Sequence, residues 1–128
     1  MNESILKTIQ FYCTNALEQF RKSKYFLEVL DLSKALGFFT ESSFGEGVGA
    51  KENKYPKIIY LGIRVLDKLG ETVVVDEIEW EHLSYATEIA RIDKRGRITF
   101  SAWEKDEDFI ETVVWIKEEL QKKLEKQV

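Results

Sequence analysis

One cysteine, one histidine, one proline and no long apolar run occur in 128 residues, and each scarcity removes a class of answers. A lone thiol, Cys13, forms no internal disulfide, which fits a reducing, cytoplasmic compartment. With His82 as the only imidazole and Cys13 as the only thiol, a structural zinc site lacks ligands. No nucleophile–base pair is signalled either, so catalysis has little to stand on. No stretch of about 18 apolar residues is present, so no membrane-spanning helix is expected. Met1-Asn2-Glu3-Ser4 has no basic region of the kind that opens a secretory signal, and none is expected. Acidic residues outnumber basic ones by 23 to 19, which argues against broad electrostatic binding to nucleic acid.

What is present is ample for folding: 44% of residues are hydrophobic and the net charge is only -4. That combination excludes a disordered chain, and the length fits one α+β domain over 1–128. Glu and Lys dominate the charge, 17 and 14 against 6 Asp and 5 Arg. Such enrichment is the drift of heat-adapted proteins, and it bears on source rather than activity.

Periodicity divides the chain. Ile5, Ile9, Tyr12, Cys13, Ala16, Leu17 and Phe20 share one face of a helix over 3–22. A second helix follows over 24–36, with Gly37 as its stop. Residues 38–56 are the least regular: Phe38-Phe39-Thr40 can open a strand, and the glycine stretch over 44–50 reads as a flexible loop. From Lys57 the period becomes two. Strands are expected over 57–67, 72–81, 84–92 and 97–103, giving a four-stranded antiparallel meander with one buried face. In the second of these, Val73 and Val75 oppose Ile78 and Trp80 in parity, which calls for a β-bulge near Asp76-Glu77. A long C-terminal helix starts at the cap Asp106 and buries Phe109, Ile110, Val113, Ile116, Leu120 and Leu124 against the sheet.

Four features bear on function. Gly45-Glu46-Gly47-Val48-Gly49-Ala50 matches the dinucleotide pattern in form, yet Pro56 and a strand arrive where the pattern needs a helix. The acids Asp76, Glu77, Glu79 and Glu81, with Glu88 nearby, offer oxygen ligands for a hard cation and hence metal-dependent hydrolysis. Their ordinary reading is a solvated strand face, paired across the hairpin with Lys57 or Arg64. Arg91, Lys94, Arg95 and Arg97 gather at one hairpin tip and offer phosphate contacts to a nucleic acid. Finally, Phe11 and Trp115 lie off the apolar stripes of their helices, Trp115 by about 120°, and Trp103 takes the polar parity of its strand. Three such aromatics can anchor a protein interface.

The reading that follows is a non-enzymatic protein–protein interaction module, self-associating or bound to a protein partner, needing no cofactor or metal. Phe11, Trp103 and Trp115 are its expected contacts. Nucleic-acid binding through 91–97, and hydrolysis through the acids at 76–81, are the alternatives.

Overall fold

The computed structural model describes residues 3–47, 57–76 and 81–127. Helix α1 (Glu3–Lys22) runs to Ser23, where the chain breaks and restarts at once as α2 (Lys24–Leu36). Ser23 causes the restart by accepting the Phe26 N–H on its hydroxyl. Gly37 ends α2 at φ +79°, a left-handed turn, and the Phe38 N–H closes it by donating to the Ser33 carbonyl at 2.8 Å. Six strands follow: β1 (Phe39–Gly47), β2 (Lys57–Leu66), β3 (Val74–Asp76), β4 (Glu81–His82), β5 (Ser84–Ile92) and β6 (Ile98–Phe100). A 3-10 turn at Trp103–Lys105 leads into α3 (Glu107–Glu125). Asp106 caps α3 as expected, accepting the Phe109 N–H at 3.2 Å.

The architecture is α+β, with a four-stranded antiparallel sheet in the order β1-β2-β5-β6 and the C-terminal helix against it. One of its four strands is not the expected one. The glycine stretch, read as a loop, is β1 as far as Gly47, and Val48 to Ala50 lie outside the described residues. Its central inward positions, Thr40 and Ser42, are polar, and Phe44, the next on that side, stays 39% exposed, so the period-two hydrophobic signal is weak. Hydrogen bonds replace it. The Thr40 hydroxyl donates to Ser33 Oγ at 2.7 Å, the Ser42 hydroxyl donates to the Gly62 carbonyl at 2.8 Å, and Arg21 donates to the Ser42 carbonyl.

The expected strand over 72–81 is instead a small ribbon in which β3 pairs antiparallel with β4. Its register slips between Val74 and Asp76, while Glu77, Ile78, Glu79 and Trp80 lie outside the described residues. Three backbone hydrogen bonds join this ribbon to the sheet in a closed triangle. Val65 N–H donates to Leu83, Leu83 N–H to Val73, and Val73 N–H to Val65, each at 2.9 Å. All three residues are buried.

A second bulge serves the core directly. Ile59 pairs with Ala90 and Tyr60 with Glu88, leaving Ile89 as the extra residue in β5. Thr87 and Ile89 face inward before it, Ala90 and Ile92 after it, and all four are buried. The helices cover this same sheet face, where Phe20, Val29, Phe109, Val113, Ile116 and Leu120 meet Ile59, Leu61, Ile63 and Val65.

Strand β6 stops at Phe100, so Trp103 has no strand parity at all. The 3-10 turn swings its indole inward to 4% exposure, with ring centroids 5.1 Å from Phe20 and 6.5 Å from Phe109. Among the described residues its buried Nε1 has no hydrogen-bond partner, a desolvation cost set against the surrounding aromatic packing.

Candidate functional site: the open face of the sheet

Alternation along β1, β2 and β5 sends one set of side chains to the helices and the other to the opposite face. The pairing register arranges that second set as three rows of three. Glu41, Arg64 and Ser84 form one row, Ser43, Gly62 and Ala86 the next, and Gly45, Tyr60 and Glu88 the third. The middle row carries almost no side chain, so it is the floor of a concavity of about 340 Å³. Tyr60 walls it on one side and the Arg64–Glu41 pair, 3.0 Å apart, on the other. Ile58, further along the same face, is buried at 6% exposure, so the open part runs from Tyr60 to Arg64.

The glycines here have different reasons to exist. A Cβ at Gly47 would lie 3.0 Å from the Tyr60 ring, so glycine there lets the ring lie where it does without shifting. Gly62 and Gly45 have no such demand. A Cβ at Gly62 would meet its nearest neighbour, the Tyr85 carbonyl, at 3.6 Å, and a Cβ at Gly45 would meet nothing within 4 Å. Neither has positive φ. A strand interior normally loses stability to glycine, and the gain in exchange is close approach by another backbone or ligand.

Charge on this face is internally matched. Arg64 pairs with Glu41, and Arg91 donates to Glu88 at 2.6 Å. Arg64 and Lys57 were expected across the 72–81 hairpin; instead Lys57 meets Glu46 of β1 at 3.2 Å, because β1 occupies that edge. Neither Ser43 nor Ser84 has a base in hydrogen-bond contact among the described residues.

The expected site residues fall in separate places. Phe11 is 78% exposed on the outer side of α1. Trp115 is half-buried and packs against the core, so its angle marks a flank of the buried stripe rather than the solvent side. Trp103 is inside. Neither Phe11 nor Trp115 enters a ring contact among the described residues, and no aromatic cluster joins the three. The basic hairpin forms as expected. Gly96 takes φ +81°, and one Asp93 carboxylate oxygen accepts the Arg95 and Arg97 N–H groups, each at 2.9 Å. Lys94, Arg95 and Arg97 project into solvent with no carboxylate in ion-pair reach among the described residues, while Arg91 is held by Glu88. Of the acidic row, Glu77 and Glu79 lie outside the described residues, Glu81 is exposed, and no cluster of metal-ligating groups occurs among those described.

Two other hollows lie elsewhere. One of about 620 Å³ contains Tyr12, Thr87 and Asp106. Their polar atoms are engaged, Tyr12 donating to the Ser101 carbonyl at 2.7 Å and Thr87 to Asp106 at 2.6 Å. The other, about 220 Å³, is lined in part by Cys13, whose thiol burial pushes above its ordinary pKa and away from reactivity. Sequence reasoning missed the open face because its central residues, Ser43, Gly62 and Ala86, carry no chemistry. The legible signal was a glycine, Gly62, inside β2 (Lys57–Leu66). Among known proteins, no family model, no curated protein and no solved structure matches this chain.

Proposed function

We propose that this chain is a non-enzymatic protein-interaction module that docks its partner on the open face of the sheet. One observation carries the reading: two glycines of that face, Gly45 and Gly62, are required by neither backbone conformation nor internal packing, unlike Gly47 beside the Tyr60 ring. A flat, small-residue floor between an aromatic wall and an ion pair suits contact with another protein surface at close range. The test is a photo-crosslinking amino acid placed at Ser84, on the rim, with exposed Lys34 of α2 as control. Irradiation in a native extract should give an adduct of discrete mass at Ser84 and none at Lys34. Absence of any adduct at Ser84 would refute the reading.

A second reading, phosphate contact through the hairpin, has one observation in its favour: Lys94, Arg95 and Arg97 have no ion-pair partner among the described residues and sit on a turn closed by Asp93. Binding to a DNA duplex that falls steeply with salt and weakens when all three become Gln would support it. A net charge of -4 works against it.

A further inference from the structure

Strand β1 is an edge of the four-stranded sheet. Which of its backbone groups lie on the outside follows from β2. Val65 N–H donates to Leu83 and the Val65 carbonyl accepts from Val73, so both groups face away from β1. Alternation gives Ile63, Leu61 and Ile59 the same orientation. Their partners across the ladder, Ser42, Phe44 and Glu46, therefore turn their N–H and C=O groups to the outer edge. The Arg21 guanidinium, which donates to the Ser42 carbonyl, agrees with this assignment and closes the edge at that point. Beyond Ser42 the edge is open. Phe44 and Glu46 present two donors and two acceptors with no hydrogen bond among the described residues, and all of Ser43 to Glu46 is exposed. Beside these groups lies the hollow of about 220 Å³, between α1 and the helix side of β1. Its lining of Leu6, Ile9, Cys13, Phe44 and Ile59 is apolar, and Leu6 and Phe44 stay 42% and 39% exposed, so it opens to solvent.

We infer that this edge takes an extended segment of a partner protein, paired with Phe44 and Glu46, with one aliphatic side chain in the hollow. Open main-chain groups on a strand edge are satisfied by an added strand, whose alternate side chains turn to the helix side. The apolar lining sets the chemistry of that side chain, since a charge placed there would lose its hydration unpaired. A second copy of β1 fits worse. Paired about Gly45, it would set its Glu46 opposite Phe44 at the apolar hollow; paired about Phe44, it would meet the Ser42 carbonyl that Arg21 holds. The edge is distinct from the open face, so this inference stands apart from the docking reading.

The probe is a random peptide library displayed on phage and selected on the purified chain. Selection should enrich peptides with an aliphatic residue between β-forming neighbours. A synthetic copy of an enriched peptide should slow solvent exchange at the Phe44 and Glu46 amides in nuclear magnetic resonance. The Gly45 amide, which already faces β2, should not change. Glu46→Pro removes one outward donor without touching the β1–β2 ladder and should weaken that peptide by about tenfold or more. Glu46→Thr keeps the donor and should bind as wild type, while Leu6→Glu, at the hollow, should weaken binding about as much as the proline. If circular dichroism shows Glu46→Pro unfolded, N-methylation of the peptide amides takes its place and should abolish binding. Failure to enrich any peptide overturns the inference, and so does a peptide indifferent to Glu46→Pro or to Leu6→Glu. A peptide that Glu46→Thr loses as fully as Glu46→Pro also overturns it, since a side chain and not the edge then carries binding. A wild type that sediments as a dimer, with Glu46→Pro a monomer, replaces the partner segment by a second copy.

Discussion

Strand β2 contributes to two surfaces that obey different rules. On its covered side Ile59, Leu61, Ile63 and Val65 are buried, the last three completely, beneath all three helices. On its open side stand Tyr60, Gly62 and Arg64, one half-buried ring, one missing side chain and one exposed charge. A fully buried aliphatic side chain contributes about 1.5–3 kcal/mol, so the covered side holds most of the folding free energy. The open side adds little and has even given up some stability to glycine. Adjacent residues in one strand therefore answer to different demands, and substitutions separate them.

The largest expected loss lies on the covered side. Phe109→Ala empties a site ringed by Phe20, Trp103 and Tyr85 and should lower stability by about 3–5 kcal/mol in urea denaturation. Should the loss be under ~1 kcal/mol, the covered face is not the source of stability and the comparison fails.

Asp106→Ala comes next, at about 2 kcal/mol. It removes the cap on Phe109 N–H and the acceptor for Thr87, and so loosens α3 where it meets β5. Thr87→Val leaves the cap intact and should cost less; equal losses would mean that the cap itself contributes nothing.

Alkaline pH probes the covered side in another way. Burial, with Glu104 next, raises the Tyr12 pKa above its ordinary 10.0, and burial raises Cys13 above 9.0. Both groups keep their protons longer in the folded chain than in the unfolded one. The stability they contribute is complete below the ordinary values and falls as pH rises from about 9 through the raised folded values. Tyr12→Phe gives up the bond to Ser101 but should flatten the upper part of that decline in thermal melts against pH. An unchanged slope would remove Tyr12 as its cause.

The smallest effect carries the opposite sign. Gly62→Ala should raise monomer stability by about 0.5–1 kcal/mol, because the added methyl has room and the unfolded chain loses freedom. A loss greater than ~1 kcal/mol would show that the open face is packed after all.

The elements that the sequence determined by itself are those whose side chains signal locally. The stripes of α1 and α3, the capping by Asp106 and Gly37, and the Asp93-Lys94-Arg95-Gly96 turn are short-range patterns, and each appears where its residues place it. Burial of Cys13 followed from its helix angle alone. Tertiary structure decided what local pattern does not encode. β1 is a strand because Ser33, Gly62 and Arg21, each at least seven residues from the group it bonds, satisfy polar groups of Thr40 and Ser42. Trp103 is core because the chain leaves the sheet three residues earlier and turns its indole toward Phe20. The open face depends on register: Ser43, Gly62 and Ala86 are bland in sequence, and only pairing between three strands places them side by side beneath Tyr60 and Arg64. Register is a non-local quantity, set by which strands pair and where a bulge resets them, so no window of sequence contains it.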